Sequence, residues 1–557
     1  MSIAPSPPGP SVRAERPAVS RRPDLGRRVQ PVAAAWIADP SAATSVGWIG
    51  GVTVLGLAWL VPETLLAAGL AWVAALAMVF ALRSGRGYSA AYVGGVVGHI
   101  IAFHWVFSTV AAFGGFPVVG SAAVFALFVA SAALQFPAVA LIHRQLPGSF
   151  DALALRAPTA VVLAELLIPR LFPWHFGHTQ IALTPLVQVA GLGGSMAVSF
   201  LVFWIAEVAV RVVAFRERRW GFLLPIGALG LALAYGMWIV HLHGSPRGAT
   251  QQVVVVQGHV AHDERRDIRL ARQYLSRIFD LSRKAAHAGS LVVWPEGAVP
   301  AYIPAAIGTV GDPPRLPWSD DGSAYLVGAY SFLPNEEKFN AAFAVYPDGQ
   351  VPLPYFKQVL IPFGEAMPLA GYFPALRKLN AKAGAFSAGT QTKVFEYPMR
   401  RADGSSYTLK VAPLICYEDT VPGLSREAAQ KGAELLVNIT SDAWFGRSLA
   451  PRQHHLIAAF RAIENRRYII RSTTTGYSAV VDPLGRTIGR IAPFSEGTIT
   501  ATVGLVSELS PYTARVGDRP WWCLLAVAVV LRLRTTRPWN WLALRRSPES
   551  TPSAEAA

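Results

Sequence analysis

The chain has 557 residues, a formal net charge of +16, 52% hydrophobic residues and 15% charged residues. A soluble domain carries roughly 25% charged residues, so a wholly soluble protein is excluded. The basic excess is written almost entirely as Arg beside apolar runs, the pattern of membrane topology and not of nucleic-acid binding, and two cysteines, Cys416 and Cys523, build no disulfide framework.

In chain order, residues 1–43 are rich in Pro, Ser, Ala and Arg, lack the apolar stretch of a cleaved signal peptide, and read as a disordered basic tail. A bilayer span needs about 20 apolar residues in a helix. Seven candidates fall within 44–243, at 45–61, 63–82, 88–112, 118–142, 157–172, 181–210 and 220–241. An eighth, short, span at 520–533 lies within a final segment 511–534, and 535–557 is a second tail. The expected architecture is a polytopic α-helical membrane bundle of about eight spans with an α/β domain at 244–510 between the last two.

Orientation follows from the cations. With the N-terminus in the cytoplasm, the inside segments hold Arg27 and Arg28, Arg83 and Arg86, Arg144 and Arg156, Arg211 through Arg219, and Arg532 through Arg546. Arg170 alone falls on the other side. The positive-inside rule then places both termini in the cytoplasm and 244–510 across the membrane.

Within that domain, apolar runs at 252–257, 290–294, 324–329, 340–346, 409–415, 434–438 and 468–472 predict strands. Helical spacing at 263–287 and 453–466, and a hairpin pairing 478–482 with 487–491, complete a layered α/β pattern. Three polar residues stand at predicted strand ends, where α/β folds place their sites. Glu296 follows SLVVWP, Lys357 lies in PYFKQVLIPFGE, and Cys416 ends VAPLIC. A carboxylate can take the proton of a thiol, and an ammonium can stabilise both a thiolate and a developing oxyanion. Taken alone, however, a Cys at a strand end is more often a small buried hydrophobe.

The remaining polar features carry less. His175 and His178, and the adjacent His454 and His455, lack the three or four converging ligands that a metal needs, so neither metal nor cofactor is expected. Glu165 lies inside a predicted span, where ionisable groups are costly; a structural hydrogen-bonding role and a part in lipid entry both remain open. Gly191, Gly193 and Gly194 predict close helix packing.

The blocks WPEG (294–297), K…PFGE (357–365) and ICYED (415–419), at intervals of 61 and 59 residues between Glu296, Lys357 and Cys416, resemble the signature of the nitrilase, or carbon–nitrogen hydrolase, superfamily. FPWHFG (172–177), Gln180 and PLVQ (185–188), with NITSDAWFG (438–446) and QH…RAIE…R (453–471), resemble the apolipoprotein N-acyltransferase family. The likeness covers roughly residues 44–533 and implies an αββα sandwich with a catalytic triad of Glu296, Lys357 and Cys416. It further implies support of that triad by Glu365 and Glu418, and positions near an acyl pocket for Tyr417 and Trp444. The implied protein is a multi-pass, monomeric enzyme of the cell inner membrane with a periplasmic catalytic domain. It would take an acyl chain from a phospholipid onto Cys416 and pass it to the α-amino group of the diacylglyceryl-modified N-terminal cysteine of an apolipoprotein. A membrane-tethered amidohydrolase would share the triad, and a non-catalytic transport or lipid-binding protein would not need it. One stretch departs from the family's pattern: Gly258 to Arg266 reads GHVAHDERR where an Asn-Ile-Pro-Gln run with a nearby Trp is usual.

Overall fold

The computed structural model describes residues 40–536 apart from 114–115, 247, 260–266, 314–315, 317, 319, 363, 367–385 and 402. Nearly all of the N-terminal tail, most of the departing stretch at 258–266 and nearly all of the C-terminal tail therefore lie outside the described residues.

The membrane half begins with helices α1 (Pro40–Ala58), α2 (Leu65–Ser84) and the bent pair α3 (Tyr88–Phe103) and α4 (Trp105–Phe113). It continues with α5 (Val118–Ala133), α6 (Gln135–Gln145), α7 (Arg156–Leu167), α8 (Ser195–Val213) and α9 (Leu223–His243). Five helical stretches among the described residues are long and apolar enough to cross a membrane, and six if α3 and α4, bent by 60°, count as one broken span. The expected span at 157–172 is a helix of 12 residues, shorter than a bilayer core requires. The expected last span is an 18-residue helix that includes Arg519, Arg532 and Arg534.

Small residues set the helix spacing. A Cβ on Gly94 would sit 2.7 Å from the Trp48 carbonyl oxygen, and one on Gly98 2.7 Å from that of Val52. Glycine at both positions lets α1 and α3 meet backbone to backbone, the device by which membrane helices pack without a hydrophobic driving force.

The α/β half is two stacked sheets. The first has the order β13 (Gly497–Gly504), β1 (Thr250–Gln257), β2 (Leu291–Val293), β4 (Ala324–Phe332), β5 (Lys338–Val345), β6 (Tyr355–Phe356), with β3 (Val299–Pro304) also paired to β4. The second has the order β12 (Thr487–Arg490), β11 (Ala479–Val481), β10 (Tyr468–Thr473), β9 (Leu435–Thr440), β8 (Ser406–Ile415), β7 (Phe395–Arg400). The central strands are β1 (Thr250–Gln257), β2 (Leu291–Val293) and β4 (Ala324–Phe332) in one sheet. Those of the other are β8 (Ser406–Ile415), β9 (Leu435–Thr440) and β10 (Tyr468–Thr473). In each trio the strands run parallel, which requires crossovers and buries both faces, so these strands read as unbroken apolar runs. Val253, Val255, Leu291, Leu409, Val437 and Ile470 fill the space between the sheets.

Helix α10 (Ile268–Ala285) covers the outer face of the first sheet through Tyr274 and Ile278. Helices α11 (Pro422–Gln430) and α12 (Ala450–Asn465) cover the second. The layers are therefore α, β, β, α. Only Arg452 of the sixteen α12 residues escapes full burial, because α12 is also the floor on which the membrane half rests. Leu456 and Ile457 pack into the helical bundle, and Phe460 and Ile463 pack against Val187 and Val198. Polar groups on this helix and at its C-terminal cap find partners across the interface. The Ser195 amide donates to Glu464 (3.1 Å), and Arg466 donates to the Gln188 side chain (2.5 Å).

Candidate active site

Glu296 hangs from the turn after β2. Trp294 is fully buried and its indole donates to the Ser282 hydroxyl (2.8 Å), which fixes the start of that turn to α10. The turn then crosses β4 so closely that a Cβ on Gly328 would lie 2.3 Å from the Pro295 carbonyl oxygen and 2.6 Å from Glu296 Cα. Any side chain larger than hydrogen at 328 would push Glu296 away.

Lys357 follows the two-residue strand β6 (Tyr355–Phe356) and is 1% exposed. Its amide donates to the Asn340 carbonyl in β5 (Lys338–Val345), and its carbonyl accepts from Gly389 (2.9 and 2.7 Å). Its ammonium lies 2.6 Å from Glu365 and 3.8 Å from Glu296. Burial works against that charge, but the carboxylates of Glu365 and Glu296 and the Cys416 sulfur outweigh it. The lysine is held well above its usual range and stays protonated.

Asn340 organises the pair of carboxylates. Its amide nitrogen donates to Glu296 (2.6 Å) and to Glu365 (2.9 Å). The second oxygen of Glu296 accepts from the Ser441 amide (2.7 Å), and that of Glu365 from the Ile361 amide (2.9 Å).

Cys416 follows β8 and opens the 3₁₀ turn Cys416–Thr420. Its φ of +53° is unusual for a residue with a side chain and marks a strained turn that over-determined surroundings must hold. Asn438 does part of this, donating to the carbonyls of Cys416 (3.0 Å) and Leu414 (3.3 Å). Burial and the charge of Glu296 push the thiol well above its ordinary pKa, with Lys357 opposing. The resting sulfur is thus a neutral thiol beside a carboxylate and an ammonium, and it ionises only by handing its proton to a neighbour.

Of the supporting residues expected from the sequence, Glu365 joins the cluster directly through Lys357. Glu418 ties loops together. It accepts from the amides of Ile415 (2.7 Å), Gln358 (2.6 Å) and Val359 (3.2 Å) and from the Tyr355 hydroxyl (2.9 Å). It thereby clamps the Cys416 turn to the Lys357 loop. Burial raises its pKa to about 6, against the pull of those amides and of Lys357. The Tyr417 hydroxyl donates to the Leu171 carbonyl in the membrane half (2.6 Å). Leu171 and Phe172 line a cleft with His99, Phe128, Arg170 and Trp174. Trp444 is half-buried in the turn Asp442–Phe445.

Asn340, Ser441 and Tyr355 escaped the sequence reading. Two of them left a trace: Asn340 and Tyr355 are polar groups inside apolar strand patterns, and a buried polar group must have a partner. Among the described residues no group of three or more His, Cys, Asp or Glu could hold a metal ion.

The profile of the carbon-nitrogen hydrolase family matches residues 253–508, and that of the apolipoprotein N-acyltransferase N-terminal domain matches residues 56–208. An apolipoprotein N-acyltransferase of Geobacter metallireducens is 31% identical over 84% of this chain and 91% of its own length. That of Pseudomonas syringae pv. tomato is 28% identical over 73% and 80%. Among solved structures, an amidase from Nesterenkonia sp. is 21% identical, covering 49% of this chain and 97% of its own, with a TM-score of 0.35.

Proposed function

The chain belongs to the apolipoprotein N-acyltransferase family and is a membrane-embedded acyltransferase, and from that premise we propose that it works through a thioester on Cys416, with a membrane phospholipid as donor. The acceptor is the α-amino group of a diacylglyceryl-modified N-terminal cysteine. The observation that carries this reading is the bond from Tyr417, the residue after Cys416, to the carbonyl of Leu171, which lines the cleft in the membrane half. It ties the nucleophile's turn to the membrane half of the chain.

The chemistry balances with groups already present. Glu296 takes the Cys416 proton as the sulfur attacks the ester carbonyl, and Lys357 faces the oxyanion. Collapse breaks the carbon–oxygen bond, and the departing lysophospholipid alkoxide takes the proton back from Glu296. The acceptor amine then gives a proton to Glu296 while attacking the thioester, and the expelled thiolate recovers it. Glu365 sits closer to the ammonium than Glu296 does. It balances the lysine charge and leaves Glu296 able to accept a proton. The catalytic domain is periplasmic with both termini cytoplasmic, which brings the site to two substrates anchored in the outer leaflet, and a monomer suffices.

Initial-rate kinetics with varied phospholipid and a diacylglyceryl-cysteine peptide test the scheme. Parallel double-reciprocal lines are expected for transfer through a covalent intermediate. Intersecting lines would mean direct transfer within a ternary complex, and release of free fatty acid without peptide acylation would mean a hydrolase.

A further inference from the structure

The first turn of α12 sends successive side chains in opposite directions. Gln453 points into the membrane half. Its amide donates to the carbonyls of Trp59 and Ala102 (both 2.9 Å), and its oxygen accepts from the Trp105 indole (2.8 Å). Ala102 and Trp105 flank the bend between α3 and α4, where helical carbonyls lose their partners.

His454 points the other way, into the sandwich. Its Nε2 lies 2.7 Å from Asp419 Oδ1 and its Nδ1 3.4 Å from Asp442 Oδ1. Asp419 also accepts from Arg471 of β10 (2.7 Å), whose other nitrogen is 4.0 Å from Asp442. None of these four side chains is more than 3% exposed. A ring with a carboxylate at each nitrogen must donate from both, which makes it an imidazolium. Two anions and two cations then close a buried, neutral quartet.

The two aspartates stand on the turns that hold the chemistry. Asp419 lies in the 3₁₀ turn that Cys416 opens. Asp442 follows Ser441, whose amide holds Glu296. The same ring therefore braces the shoulder of the sulfur and the support of the carboxylate.

We infer that His454 is a positioning residue that sets the separation of Cys416 and Glu296 by bridging Asp419 and Asp442, with Gln453 anchoring the same helical turn to the bent membrane helix. The inference rests on the roles proposed above for Cys416 and Glu296. A misplacement of about 1 Å between reacting groups is enough to cost on the order of 100-fold in rate.

The test compares the full-length detergent-solubilised protein with H454Q and the double variant H454Q/D442N, all in a Cys523→Ser background. Two rates are read: alkylation of Cys416 by iodoacetamide, which needs no lipid, and single-turnover acylation by phospholipid. H454Q should slow both by about 30-fold or more while changing the half-saturating phospholipid concentration less than about threefold. The double variant should recover about tenfold, because the introduced amide can donate to Asp419 and accept from the amide put in place of Asp442. Rates of H454Q within threefold of the parent would overturn the inference, as would a loss that the second substitution does not recover. Should H454Q fail to fold, D442N alone, which keeps the His454–Asp419 pair, should slow both rates about three- to tenfold; unchanged rates would overturn the inference. A parent protein that alkylates normally but never acylates would contradict the transferase reading and leave this one standing.

Discussion

Lys357 keeps its charge where burial alone would remove it, because two carboxylates face it and Asn340 holds both of them in place. An ammonium is compact and fits between Glu365 and Glu296; a planar guanidinium does not. Lys357→Arg should therefore lower the acylation rate by about 1,000-fold or more while the protein melts within a few degrees of the parent. Equal activity in a single-turnover assay would refute that role. Asn340→Ala should cost less, about 10- to 100-fold in the same assay, since it loosens both carboxylates without removing either. Glu418 is different: the bonds it accepts come from backbone amides and a tyrosine. Glu418→Gln turns one acceptor oxygen into a donor facing donors, a change worth roughly 2–4 kcal/mol of stability, visible as a lower melting temperature. Glu296, Lys357 and Cys416 were legible in the sequence because each closes or follows an apolar strand in a recognisable block. Asn340 and Ser441 were not, since their importance lies in which strands the fold places side by side.

At the scale of elements, α12 joins the two halves. Its polar residues are spread around the whole circumference, a pattern that suggests an exposed helix, yet nearly all of it is buried. The periodicity predicts the helix at 453–466, close to the observed Ala450–Asn465, but it could not show that both faces are covered. The same limit hid β13 (Gly497–Gly504), whose small and threonine-rich residues alternate weakly, although it pairs with β1 along its whole length. It also hid β7 (Phe395–Arg400), an edge strand whose clean alternation is interrupted by Pro398, a residue that only an edge strand admits. The parallel central strands were easier, because burial on both faces writes them as continuous apolar runs. Gly328→Val tests the tight crossing of β4 and the Glu296 turn. It should lower activity far more than a valine at the exposed Gly423, where an added Cβ meets no neighbouring atom within 4 Å.

For the whole molecule, the proposed membrane orientation rests on the arginine pattern, and the buried quartet predicts a pH dependence. In spheroplasts, an impermeant maleimide should label Ser405→Cys in the α/β half and leave Ser149→Cys, between α6 and α7, unlabelled; the reverse would invert the topology. His454 is desolvated, which lowers its pKa, but Asp419 and the bonds to Asp419 and Asp442 raise it to about 9 despite Arg471; neighbouring His455 is held neutral by burial. A histidine raised in the fold contributes stability that is complete below its unfolded pKa of 6.5. That contribution fades as pH rises toward about 9. Melting temperature should thus decline across that window, and H454Q should flatten the decline. The central claim is the covalent intermediate. Intact mass spectrometry of the protein after incubation with phospholipid alone should show one added acyl chain, absent from Cys416→Ser and discharged when the diacylglyceryl-cysteine peptide is added. A preparation that acylates the peptide yet never carries the adduct, or that carries it equally in Cys416→Ala, would contradict the account.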